Sequence, residues 1–211
     1  MRNSLAKTRV LVSPPSTNET EVEARQRRAD EDNRLYAAWL AGDESAFERL
    51  VNLHGPSVRR FLEFYLGDST LAEEAWSDTF LKVVRARTTY TPGGNFKGWL
   101  ITIARRAGQD IRRSKTRWFR LLTHRRESTA DRVAAPVSTD TLLISIEEAE
   151  RVQRALSSLS EERRTVLLLT YQQDLNSVEI ADILGIDSQQ VRSRLTYARR
   201  LLKEALSSSS T

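Results

Sequence analysis

Apolar residues recur at three- and four-residue steps along most of this chain and alternate nowhere over a useful length. That period predicts helices and no strand of consequence. A first helix reads from about Glu31, with Leu35, Trp39 and Leu40 on one face, and stops near Gly42-Asp43. A second opens at Asp43 and turns Phe47, Leu50, Val51, Val58, Phe61, Leu62 and Tyr65 inward. Gly55-Pro56 predicts an interruption and a kink in it, and Gly67-Asp68 its end. A third buries Leu71, Ala75, Trp76, Thr79, Phe80, Val83 and Val84 and leaves Glu73, Glu74, Ser77 and Asp78 outside. After the turn-rich "TYTPGGN", residues 89–95, a fourth buries Phe96, Trp99, Leu100, Ile103, Ala104, Ala107 and Ile111.

At Arg112 the pattern gives way to "RRSKTRWFRLLTHRRE" and then to the polar "STADRVAAPVSTD". This shift puts a linker at 115–140 and divides the chain into two helical pieces, 31–114 and 141–206. Leu142, Leu143, Ile146, Ala149, Val152, Ala155 and Leu156 mark the next helix, and Glu161 to Tyr171 another. Residues 1–30 lack an apolar period and read as a flexible extension with at most a transient helix from Glu21 to Arg28. Residues 207–211 read as a disordered tail. The fold class is therefore all-α, two small helical domains on a flexible linker, with no internal repeat.

Within the second piece, "SVEIADILGIDSQQVRSRL" (177–195) carries its own start and stop signals. Asn176 with Glu179, and Asp187 with Gln190, have the spacing of capping boxes. Gly185 supplies the turn, Ala181 is small where two helices approach, and Ile180, Ile183, Ile186, Val191 and Leu195 supply a shared core. The pattern is a helix-turn-helix, whose second helix enters the major groove of duplex DNA. Off the apolar stripe stand Ser188, Gln189, Gln190, Arg192, Ser193, Thr196 and Tyr197. Arg and Gln can pair with guanine and adenine edges, and Thr can meet a thymine methyl. Arg199, Arg200 and Lys203 further along suit phosphates.

Composition narrows the function. The 211 residues carry a net charge of +5, which favours a polyanionic partner. There is no cysteine, hence no disulfide framework and no thiolate metal site. No apolar run approaches a membrane span and no secretory signal opens the chain, so a cytoplasmic protein is expected. His54 and His124 are the only histidines, read as structural and linker residues, and Gly93-Gly94 does not continue into a phosphate-binding loop. No enzyme activity and no cofactor are expected.

The first piece gives the helix-turn-helix a context. "AGDESAFERLVNLHGPSVRRFLEFYLGD", "LAEEAWSDTFLKVVRAR" and "FKGWLITIARRAGQDIRR" resemble region two of the extracytoplasmic-function sigma factors of bacterial RNA polymerase. "ALSSLSEERRTVLLLTYQQDLNSVEIADILGIDSQQVRSRLTYARRLLKEAL" resembles their region four, in the family's order and with its linker length. The resemblance implies an alternative sigma factor that binds core polymerase, reads the minus-thirty-five duplex and captures the melted minus-ten strand. Glu73, Glu74 and Asp78 would dock on the coiled coil of the largest polymerase subunit, with the flap as a second contact. Tyr90, Asn95, Lys97, Arg105, Arg106 and Gln109 would grip the minus-ten strand by stacking and charge, while Trp99 belongs first to the core. Ser188 to Arg200 would read the minus-thirty-five element. The basic run Arg112, Arg113, Lys115, Arg117, Arg120, Arg125 and Arg126 would open the path of the linker through the polymerase. Leu71, Ser77, Arg106 and Gln189-Gln190 depart from the family's usual residues, which predicts a promoter of its own. Family members are commonly held by an anti-sigma partner. The alternative is a helix-turn-helix regulator that acts on DNA without polymerase as its scaffold.

Overall fold

The computed structural model describes residues 19–123 and 140–208, with side chains placed for 22–117 and 147–208. Residues 1–18, 124–139 and 209–211 lie outside, and with them His124, Arg125, Arg126 and most of the expected extension and linker. Among the described residues the elements are all helical: α1 (Glu19–Leu40), α2 (Glu44–Leu66), α3 (Ser69–Arg85), α4 (Phe96–Thr123), α5 (Asp140–Ser157), α6 (Glu161–Tyr171), α7 (Ser177–Leu184) and α8 (Ser188–Ser208).

Helices α1 to α4 form the first bundle around an aromatic centre. Tyr36, fully buried, packs edge-on to Tyr90 at 4.8 Å and lies 5.6 Å from Phe96 and 5.9 Å from Trp99. Its hydroxyl donates to the Arg87 carbonyl, which ties α1 to the segment after α3. Local signals set the corners. Asp43 caps α2 and Asp68 caps α3, accepting from Thr70 N at 3.0 Å and Leu71 N at 3.1 Å. Gly67 closes α2 at φ 70°, a conformation that costs a side chain strain. At Gly108 a Cβ would stand 3.0 Å from two Tyr65 ring atoms, so α2 and α4 cross there at glycine distance.

Four expectations change. Helix α1 begins at Glu19 rather than near Glu31, because residues 19–30 are rich in Glu, Arg, Ala and Gln, which hold a helix without an apolar stripe. Helix α2 runs unbroken through Pro56, whose ring is on the exposed side; Gly55 is the packing residue, its carbonyl accepting from Trp76 Nε1 at 3.0 Å. Helix α4 continues to Thr123, past the boundary that composition suggested at 115, held in part by Lys115 to Asp68 at 3.2 Å. Leu40, Val84 and Ala149 are exposed. Leu40 and Val84 each follow a buried residue and lie about 100° round the helix from it.

The second bundle, α5 to α8, is built around α6. Thr165 to Thr170 are six consecutive buried residues, so α6 is covered on every side. Helices α7 and α8 cover one part of it and α2 of the first bundle covers another. The two halves therefore pack directly on each other, and α4 also meets α7.

Candidate nucleic-acid interface

The reading helix α8 is held by a well-capped neighbour. Asn176 Oδ1 accepts from Val178 N at 2.9 Å and Glu179 N at 3.1 Å, and Glu179 Oε2 accepts from Asn176 N at 2.8 Å, a complete capping box. Gly185 ends α7 at φ 65°, and Ile186 N donates back to Ala181 O at 3.1 Å. Asp187 then caps α8 through Gln189 N at 2.6 Å. Gln190 does not reach back, so the second capping box expected from spacing is a simple cap. Ile180, Ile183 and Val191 are buried between the helices, with Ile186 and Leu195 half-buried.

The opposite face of α8 is an open groove lined by Gln189, Arg192, Ser193, Thr196, Tyr197 and Arg200. Ser188 is half-buried at its start, and Gln190 and Arg199 are exposed beside it. The Arg192 guanidinium is preset: Nη2 donates to Gln189 Oε1 at 2.9 Å and Nη1 to Ser177 Oγ at 3.4 Å. Tyr197 is flanked by the Arg163 guanidinium at 4.6 Å and that of Arg200 at 4.7 Å. Arg163 was not among the residues singled out from the pattern; its only cue is the Arg163-Arg164 pair at the start of α6. Arg199 lies over the Tyr171 ring at 5.4 Å.

The acidic face of α3 is less free than a bare row of carboxylates. Glu73 pairs with Arg59 at 2.7 Å, and Asp78 with Lys82 at 2.9 Å, the latter also bridged to Asp110 at 2.8 Å. Glu74 is exposed and has no ion-pair partner among the described residues. Leu81, 57 % exposed, continues the row from Glu74 and Asp78, so the acidic surface ends on an exposed apolar residue.

The six side chains proposed from sequence for a melted strand do not share one open surface. The Tyr90 ring is buried, and its hydroxyl lies 2.7 Å from Asn33 Oδ1 and 2.6 Å from the Gly94 carbonyl. Burial, with the nearby Asp32 charge, pushes that phenol up to about 12. Tyr90 supports the 89–95 loop from within. Asn95 caps α4 through Gly98 N at 2.8 Å and donates to Glu179 of α7 at 3.0 Å. Lys97 donates to the Gln173 carbonyl, and its burial holds the ammonium below the ordinary lysine value against the pull of Asp174 and Glu179. Gln109 donates to Glu161 at 2.9 Å. Arg105 is half-buried, with an Nε that has no hydrogen-bond partner, and Arg106 is exposed. His54 is structural, its Nε2 2.7 Å from the buried Asp32 carboxylate and its ring against Phe96.

Family profiles for Sigma-70 region 2 match residues 50–118, and for Sigma-70, region 4 residues 149–202. The RNA polymerase sigma factor CarQ of Myxococcus xanthus is 32% identical over 78% of this chain and 91% of its own. The ECF RNA polymerase sigma factor BldN of Streptomyces coelicolor is 30% identical over 86% of this chain and 71% of its own. Among solved structures, the sigma factor RpoE in complex with the anti-sigma factor NepR from Bartonella quintana superposes with a TM-score of 0.62 at 26% identity, covering 76% of this chain and 96% of that one. The two matched regions coincide with the α3-α4 and α6-to-α8 surfaces just described, and the chain belongs to the extracytoplasmic-function sigma factors of the sigma-70 family.

Proposed function

We propose that this protein is an alternative sigma factor that joins core RNA polymerase and directs it to a specific class of promoter. The observation that carries the reading is the pairing, in family order, of a capped helix-turn-helix with an open arginine-bearing face and a four-helix bundle whose α3 presents an acidic row. A free-standing regulator has no use for the second surface.

In this reading Gln189, Arg192, Ser193, Thr196 and Tyr197 face the minus-thirty-five bases, Ser188 and Gln190 frame the start of the helix, and Arg163, Arg199 and Arg200 meet phosphates. Glu74, Asp78 and Leu81 contact the polymerase coiled coil, with Glu73 contributing once Arg59 releases it. Asn95, Lys97, Arg105, Arg106 and Gln109 hold the unpaired minus-ten strand by charge and hydrogen bonds, on a loop that Tyr90 stiffens. Unstacking a base costs a few kcal/mol, which contacts from both bundles together offset. The chain catalyses nothing itself; nucleotidyl transfer belongs to the polymerase. It works in the cytoplasm, and no helix among the described residues is long and apolar enough to cross a membrane. An anti-sigma factor is a fitting partner, given the complex in which its structural relative was solved. The test is run-off transcription with purified core polymerase: specific initiation that requires this chain supports the reading, and none with any promoter sinks it.

A further inference from the structure

The first turns of α1 have no apolar stripe to bury, yet they begin a row of arginines. Arg27 and Arg34 stand seven residues apart on the outer side of α1, and both are exposed. Arg49 of α2 faces them across a groove whose apolar floor is the buried Leu35 and the half-buried Ala38. Glu31 is the one acid that lines it. Its contact with Arg49 spans 3.8 Å between side chains more than half exposed, so solvent screens away most of its worth. Arg34 Nε donates to the Asp30 carbonyl at 3.3 Å, a neutral acceptor. Neither Arg27 nor Arg34 has a carboxylate partner among the described residues. The groove therefore presents three guanidiniums with little to neutralise them.

This groove borders the loop assigned to the melted strand. Asn33, beside Arg34 in α1, uses both ends of its amide to hold that loop. Its Oδ1 accepts from Gly93 N at 2.8 Å and lies 2.7 Å from the Tyr90 hydroxyl. Its Nδ2 donates to the Ala29 carbonyl at 2.8 Å and to the Gly94 carbonyl at 3.3 Å. Arg34 lines the groove and also the neighbouring cavity that contains Gly93, Gly94 and Asn95. Loop and arginines are thus fixed to one helix. Seven residues of helix advance about 10.5 Å, which matches about three successive phosphates of one strand at about 3.4 Å each. A run of phosphates suits that spacing better than a single anion does. An acidic protein surface would satisfy the same charges, but the rim shared with the strand loop favours DNA.

We propose that Arg27, Arg34 and Arg49 form a third nucleic-acid contact, which takes the phosphate backbone of promoter DNA adjoining the minus-ten element. The proposal rests on the promoter reading for the presence of a strand at residues 89–95. All three arginines precede residue 50, where the match to Sigma-70 region 2 begins. Phosphate contacts position a strand and read no sequence, so the groove adds affinity and register without narrowing the class of promoter. It also gives the early turns of α1 a task outside the core.

Affinity for promoter DNA, measured against salt with the chain bound to core polymerase, tests the groove. Arg27→Gln, Arg34→Gln and Arg49→Gln together remove three contacts, each worth about 0.7–0.9 in the slope of log affinity against log salt. Between about 50 and 200 mM salt the parent should lose about 20- to 40-fold more affinity than this variant, and the two should bind core polymerase equally. The DNA is then trimmed back to the minus-ten element, first from upstream and then from downstream. One of the two trims should erase the difference between parent and variant. The corresponding triple lysine variant keeps the charge and should keep the parent's slope. A glutamine variant with the parent's slope, or a lysine variant with the glutamine variant's slope, overturns the contact. Weakened binding to core polymerase with an unchanged slope overturns it too, and makes the groove a protein-docking surface. Absence of promoter binding by the parent overturns the promoter reading instead.

Discussion

Arg192→Ala offers the sharpest residue-level test of the proposal that the open face of α8 reads DNA bases. The side chain is exposed, so its loss should leave folding within about 0.5 kcal/mol of the parent. Its guanidinium is already held over the groove by Gln189 at 2.9 Å and Ser177 at 3.4 Å, so part of the ordering cost of docking is met before DNA arrives. A bidentate arginine-guanine pair is worth about 1–3 kcal/mol of discrimination, or roughly 5- to 150-fold. The assay is run-off transcription with core polymerase at fixed salt, on a cognate promoter and on its three substitutions at the contacted base. The parent should prefer guanine by that factor, and the variant should transcribe all four templates alike at the level of the poorer three. Gln189→Ala should cost less, because it only loosens the guanidinium. An equal loss on every template, with a shallower salt dependence, would refute base reading and make Arg192 a phosphate contact.

Other outcomes follow from the same contacts. Asn176→Ala removes two cap bonds to Val178 N and Glu179 N and should cost about 0.5–2 kcal/mol, lowering the melting midpoint by about 2–4 °C per kcal/mol in a calorimetric scan. Glu161 joins the second bundle to Tyr65, Gln109 and Arg112 of the first and has its carboxyl held below the ordinary 4.5 there, so its contribution to that contact is present above that value and is lost as pH falls through the lower one. A dye pair spanning the two bundles should therefore lengthen in acid, and Glu161→Gln should flatten that transition. Glu74→Lys reverses the one unpaired charge of the acidic row; it should slow association with core polymerase and weaken its salt dependence in stopped-flow mixing, with no change in melting midpoint.

The helices were legible wherever one apolar face meets one core, as in α2 to α4 and the α7-α8 pair, because period and caps act locally. Misreadings came where a different force governs. Residues 19–30 have no buried stripe to announce them, yet their side chains favour a helix and Arg25 gives them an anchor. The stretch from Glu161 to Tyr171 announces a helix but not its surroundings: the unbroken burial of Thr165 to Thr170 reports cover from both bundles, which no local pattern encodes. The open face of α8 was legible because Gln189, Arg192, Ser193, Thr196 and Tyr197, the side chains proposed to meet duplex bases, stand off its apolar stripe, and spacing along one helix is enough to group them. The surroundings of the set proposed for a melted strand were not legible, because Tyr90, Lys97 and Gln109 take partners from segments some tens of residues away, which no local spacing encodes.

The central claim, a promoter-specificity subunit rather than a solitary regulator, is tested most directly on a library of promoters randomised at both elements. Core polymerase with this chain should select transcripts carrying two sequence blocks at a fixed spacing, and either component alone should select none. Tight, sequence-specific binding of the chain alone to duplex DNA, with no selection added by polymerase, would contradict it.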